Sequence, residues 1–426
     1  MDHHRPRNPT MAAAAMIALA VAVHAQAPAP AERLSFRDAI ARAVEKNPSS
    51  AIAAAGILRA EALLTEARAS TRLEINGTVA TTTLNTSVVF NDTTVSPRNA
   101  VAAGLDVRLP LFAASRWARR AQAADAVHVA ELSTTEVRQQ TSLATADAYL
   151  TIIARRRVVD ADVRARDVAN AHFDLAHQLQ QLGTGSRLNE LRAQQELSTV
   201  DRLVESARLA LYRAQEALGV LVVADGPVDA TDEPAFDLPS DASDANVLQF
   251  RPDLQFLSAA QQASERVLHD SAKDYFPELQ AAFLPQALYP SSIFAPANSW
   301  RFQLQLAVPI FDSGQRKGQK LERQAAFDIS KANFTGALTG ARSEVRAARE
   351  AVQSAGRGLV SARAAADQAQ QVVNITNISF RAGAATNIEV IDAERSARDA
   401  DTAVAGAEDT LRRARLELLT ALGRFP

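Results

Sequence analysis

The chain of 426 residues contains no cysteine. Disulfides and an N-terminal lipidated cysteine are therefore excluded. Three methionines are too few for a soft-metal relay. Aromatic residues make up 5% of the sequence while alanine is abundant, a balance that suits closely packed helices better than a bulky globular core. A formal net charge of −2, with no Lys/Arg run, leaves no electrostatic footprint for nucleic acid. Past the N-terminal region, no apolar run reaches the roughly 20 residues that a transmembrane helix needs. A seat in a membrane would have to come from strands.

Catalytic constellations are missing too. Gly314-Gln-Arg-Lys-Gly318-Gln-Lys320 sets three residues between its glycines where a phosphate loop has four, and Lys320 does not follow the second glycine. A basic turn after a strand explains it. His172 and His177 lie five apart, on different faces of a helix, with no glutamate placed for a zinc hydrolase. We expect neither an enzyme nor a cofactor or metal.

What is present begins with a secretory signal over residues 1–25: Arg5 and Arg7, a short apolar run from Met11 to Val23, and the small-residue cleavage site Val23-His-Ala25. The other reading, an uncleaved anchor, is disfavoured by the shortness of that run.

One turn then occurs twice. Gly183-Thr184-Gly185-Ser186 and Gly383-Ala384-Ala385-Thr386 each place a glycine suited to ending one helix three residues before a hydroxyl suited to capping the next. After the first turn, Leu197, Val200, Val204, Ala207, Leu211, Ala214 and Leu218 recur at alternating spacings of three and four. Ala397, Ala400, Val404, Ala407, Leu411, Ala414 and Leu418 repeat the pattern. This period calls for a coiled coil, and the duplication for two structural repeats.

Each repeat also contains strands. Val101, Ala103, Leu105, Val107, Leu109 and Leu111 alternate with more polar neighbours, as do Trp300, Phe302, Leu304, Leu306, Val308 and Ile310. The first repeat, residues 34–221, is expected to hold a helix ended by Pro48, a second helix, a β-hairpin at about 72–109, a long helix 113–182, the tip 183–187 and a helix 187–220. The second, 247–426, holds a helix, a hairpin at about 278–310, a long helix 312–382 that glycines could bend, the tip 383–387 and a helix 387–422. The long helices contain no proline and would each reach about 100 Å, too long to bury in a globule. Residues 222–246 carry seven acidic residues, among them Asp229, Asp232 and Glu233. They lack the glycine and closing glutamate of a calcium loop, and read as a solvated linker between the repeats.

Four strands cannot close a barrel by themselves. Their one-sided apolar face needs lipid or a partner sheet. Leu34-Ser-Phe-Arg-Asp-Ala-Ile, Asn47-Pro48, Leu109-Pro-Leu-Phe112, Val308-Pro-Ile-Phe311-Asp-Ser-Gly314, the tip from Phe380 to Asp392, and Ala421-Leu-Gly423 together resemble the TolC family of outer-membrane efflux channels. The resemblance covers Leu34 to Gly423. It implies a mainly α fold with a small β part: a homotrimer whose 12-stranded outer-membrane β-barrel, four strands per chain, continues into a long periplasmic α-helical barrel. It also implies a passive export duct. The partners would be outer-membrane lipid, a periplasmic adaptor (membrane fusion) protein and, through the adaptor, an inner-membrane efflux pump or the ABC transporter of type I secretion.

In that family the tips form the periplasmic entrance and contact the adaptor, and an acidic ring narrows it. The ring positions fall on Glu389 and Asp392, which share a helix face. Such a ring would favour cations and raise its own pKa values by like-charge repulsion. Two solvated acids in a first helical turn are the plainer reading. Two departures stand out: Ala385 replaces an arginine of the family's latch, and Arg192 occupies the first-repeat counterpart of Asp392. The rival from another class is a periplasmic coiled-coil scaffold or adaptor with a soluble β-sandwich.

Overall fold

The computed structural model describes residues 31–91, 93–238, 247–291 and 295–425. The expected signal segment, and residues 239–246 of the expected linker, lie outside the described residues. The chain begins with β1 (Glu32–Leu34) and α1 (Phe36–Lys46). Ser35 caps α1, its Oγ accepting the Asp38 N–H at 3.2 Å. α1 stops before Pro48, as expected, with Asn47 in extended conformation, and Pro48 also opens α2 (Pro48–Ala69), where its missing N–H costs nothing and Asn47 supplies the cap to Ser49 at 3.0 Å.

Next come β2 (Glu74–Thr83), a small hairpin of β3 (Val88–Phe90) and β4 (Thr93–Ser96), and β5 (Asn99–Ala113). The first helical hairpin is α3 (Ala114–Gln181) and α4 (Arg187–Val222). After β6 (Val228–Ala230) and α5 (Val247–Phe250) come α6 (Pro252–His269), a 3-10 helix (Asp270–Tyr275), β7 (Glu278–Tyr289) and β8 (Asn298–Ala307). The second hairpin is α7 (Gln315–Arg381) and α8 (Asn387–Ala421). With 68 and 67 residues, α3 and α7 each extend about 100 Å at 1.5 Å per residue. The glycines in α7 leave it one unbroken helix.

Strands β2, β5, β7 and β8 form one antiparallel sheet in that order. The register puts Ile75, Val107, Phe283 and Phe302 in one row, with Val79, Ala103 and Ala287 in another row on the same face. Asn76, Asp106, Arg108, Arg301 and Gln303 fall on the opposite face. There Arg108 grips Asp106 through two hydrogen bonds of 2.8 and 2.6 Å. Val79 is 77% exposed, Trp300 71% and Leu306 60%: among the described residues nothing covers the apolar face. The partner sheet that a soluble sandwich would need is therefore missing among them. The two marker strands also end differently. β5 continues through Pro110 to Ala113 across an irregularity that tolerates the missing N–H, whereas β8 stops at Ala307, before Pro309.

The largest core cluster lies midway along α3, against α1, β6 and the last turns of α4 and α8. Tyr149, Leu150, Ile152, Leu218, Val222, Val228 and Leu416 are each at most 1% exposed. Here the acidic segment departs from the expected solvated linker. β6 pairs in parallel with β1, and Val228 is fully buried. Asp229 is paired with Arg156 at 2.6 Å, and Glu233 with Arg157 and Arg412 at 2.8 and 2.9 Å. Charges that look solvated along the sequence are matched by arginines from α3 and α8.

Candidate functional site

The two hairpin tips repeat each other in backbone detail. Gly183 and Gly383 take φ of +75° and +77°, the left-handed region that glycine enters without cost. In the first tip the N–H groups of Thr184 and Gly185 return to the Leu179 carbonyl at 3.1 and 2.8 Å; in the second, those of Ala384 and Ala385 return to Ser379 at 2.8 and 3.2 Å. Both helix C-termini are thus capped by their own turns. Ser186 then caps α4, accepting the Leu188 N–H at 3.2 Å.

Thr386 caps α8 by a different arrangement. The Glu389 carboxylate accepts the Thr386 backbone N–H at 2.6 Å and the Thr386 hydroxyl at 2.8 Å. These bonds hold the Glu389 carboxyl below the ordinary glutamate value. Within one protomer the shift is therefore opposite in sign to the one expected of a carboxylate ring, because the local cap acts on Glu389. Glu389 and Asp392 line one groove of ≈ 580 Å³ between α7 and α8, together with Val372, Ile375, Ala384 and Ala385. At the first tip, Arg192 is exposed at the counterpart of Asp392.

Beside the tips, the helices meet through pairings that the sequence did not reveal. Asn387 is 2% exposed and meets His172 Nε2 of α3 at 2.7 Å, while its Nδ2 donates to the Asn189 carbonyl at 3.4 Å. Burial pushes the His172 pKa down, so the ring is neutral near pH 7. His177 pairs with Glu190 at 2.8 Å, and Arg187 holds the same carboxylate. The two histidines thus serve the docking of helices. Asn387→Ala is expected to leave His172 without its partner and to destabilise the tip by about 1–3 kcal/mol. Limited proteolysis at the tip should speed up accordingly; an unchanged rate would contradict it.

A helical extension about 100 Å long, joined to an open-edged sheet whose apolar face is uncovered among the described residues, defines a class: a membrane protein seated by strands and extended by helices. No helix among the described residues is long and apolar enough to cross a membrane. The sequence pattern of the outer membrane efflux protein family matches residues 39–222 and 245–424, and the chain belongs to that family. Membership places it in the outer membrane.

Among its relatives, a toluene efflux pump outer membrane protein, TtgC of Pseudomonas putida, is 24% identical over 316 residues, 68% of this chain and 63% of that protein. The chain thus spans less than two thirds of this relative's length. In fold it is similar to the outer membrane protein VceC of Vibrio cholerae, with a TM-score of 0.80, 18% identity and coverage of 91% of this chain and 96% of that one. It is also similar to the Campylobacter jejuni CmeC outer membrane channel, with a TM-score of 0.81, 15% identity and coverage of 92% and 86%.

Proposed function

We propose that three copies of this chain close into one 12-stranded barrel, continuous with a helical tunnel, and serve as the passive export duct of a tripartite efflux pump or type I secretion system. The observation that carries this reading is the four-stranded sheet. Among the described residues its lipid-suited face is uncovered, and its edge strands β2 and β8 each have one free edge. With every neighbouring pair antiparallel, β8 of one copy and β2 of the next also run antiparallel, so head-to-tail addition can close the sheet. Four strands fall short of the roughly eight that the smallest outer-membrane barrels need. The family's implied trimer supplies twelve. A periplasmic adaptor would seat on the exposed tip turns, Gly183 to Ser186 and Gly383 to Thr386, and connect the duct to an inner-membrane efflux or ABC transporter. Energy would come from those partners.

The protein is expected in the outer membrane as a heat-modifiable trimer. A purified protein that is monomeric and soluble without detergent would overturn the reading.

In this arrangement Glu389 and Asp392 of three protomers would form the acidic constriction. Replacing both with alanine should move the reversal potential under a salt gradient most of the way towards zero as cation preference is lost. Unchanged reversal potentials in planar bilayers would reject the ring.

A further inference from the structure

Farther along the hairpins from the tip, four helices enclose a cavity of ≈ 210 Å³ lined by Ala169 of α3, Val200 of α4, Val373 of α7 and Ala397 of α8. Its lining mixes alanines and valines with charged side chains, and two carboxyl groups, those of Glu196 and Glu394, meet there. Glu196, on α4, is 4% exposed and accepts a hydrogen bond from Arg395 Nε of α8 at 2.9 Å. Arg398, also on α8, approaches its other oxygen at 3.6 Å. Glu196 thus ties the first hairpin to the second.

Glu394 lies beside Arg395, and its buried Oε2 has no hydrogen-bond partner. A carboxylate with a buried oxygen that no donor reaches is costly, whereas the neutral acid is better tolerated. Burial pushes the Glu394 carboxyl up to about 7, and the neighbouring charge of Glu196 adds to the shift.

We propose that Glu394 and Glu196 form a proton-operated clasp between the two helical hairpins, docked when Glu394 carries a proton and loosened when both carboxyls are ionised. The other charged groups at the cavity are Arg164 of α3 and Arg395, Arg398 and Asp401 of α8, with Gln370 the polar contribution of α7. Asp162 of α3 lies nearby, its carboxyl raised by burial and lowered by Arg398.

Docking raises the affinity of Glu394 for a proton. The docked state is therefore favoured most below the ordinary glutamate value, and this advantage is lost as the pH rises through about 7. On release the proton passes to bulk water. His172 works the other way, but only below the ordinary histidine value, because its folded pKa is depressed. Linkage then gives about a tenfold shift towards the undocked state per protomer between pH 6 and pH 8.

As a gate, the clasp rests on the duct reading; as a contact between hairpins, it does not. Since the chain has no cysteine, Gln195→Cys on α4 and Ser396→Cys on α8, both at exposed positions, can carry spin labels in the purified protein. The distance distribution should broaden from pH 6 to pH 8, and Glu394→Gln should abolish the broadening. A parent distribution that is the same at both pH values, or a variant that broadens as the parent does, overturns the clasp. In planar bilayers the open probability should follow the same tenfold trend and flatten in Glu394→Gln. Conduction with no pH trend would keep the duct and sink the clasp. No conduction together with pH-dependent broadening would do the reverse.

Discussion

Gly423→Ala is expected to prevent stable assembly. Gly423 ends α8 at φ +68°, where an L side chain is strained, and a Cβ there would lie 2.3 Å from the Phe250 carbonyl oxygen, 2.4 Å from its carbon and 2.8 Å from the Arg251 nitrogen. All three are backbone atoms and cannot swing aside. Moving them would displace the start of α6, where Arg251 is held by Asp253 at 2.7 Å and where Leu254 is fully buried against Ala421 and Leu422. It would also part Arg424 from the Phe250 ring over which it lies at 5.0 Å. Left-handed strain of about 1–3 kcal/mol adds to a similar overpacking cost, a large share of what holds a typical domain folded. The yield of heat-resistant oligomer in outer-membrane fractions should fall to a small fraction of the parent's. A yield near the parent's would mean that the α5–α6 junction can yield after all.

The second large effect is expected at Tyr149. Its ring is fully buried, packed edge-on against Phe36 at 5.4 Å between centroids, and Phe36 in turn meets Phe236 at 5.7 Å. Its hydroxyl donates to Asp232 and accepts the Thr231 N–H at 3.1 Å. Tyr149→Ala should cost about 3–5 kcal/mol through the cavity and the stranded partners. Tyr149→Phe keeps the ring, and should cost about 1–2 kcal/mol for the lost hydroxyl. Thermal unfolding of the two variants separates ring from hydroxyl; equal losses would refute this division.

The pH dependence has a definite sign. Burial works against the charge of Asp232, but hydrogen bonds from Tyr149 and the Phe36 N–H outweigh it and hold the carboxyl below the ordinary aspartate value. The Asp232 contribution is present above that value and lost as the pH falls below it. Tyr149→Phe should therefore lose less on acidification than the parent does.

The acidic segment and the tips differ in how much of them could be read beforehand. The turn glycines and the three-four spacing of Val200, Val204, Ala207, Ala214 and Leu218 report local geometry, and all five residues are buried. Glu389 and Asp392 could be set on one helix face by counting. That Glu389 is also tied into the cap of its own helix follows from a rotamer, which spacing does not specify. The partners of Glu196 were illegible because Arg395 stands 199 residues away in sequence. The same holds for Asp229, Asp232 and Glu233: their acidity was plain, but their pairing depends on arginines and a tyrosine from other elements.

By itself the sequence determined the periods: two for the strands, three-four for the helices, and the repetition of both. Each period is set by the geometry of one element, so neighbours along the chain suffice to reveal it. Register, pairing and the neutralisation of charge were decided only in the tertiary structure. The sheet order β2-β5-β7-β8 joins strands from both repeats, and the clasp joins hairpins from both. Such contacts depend on the approach of surfaces far apart in sequence, and their energy turns on burial and on whichever charge arrives opposite.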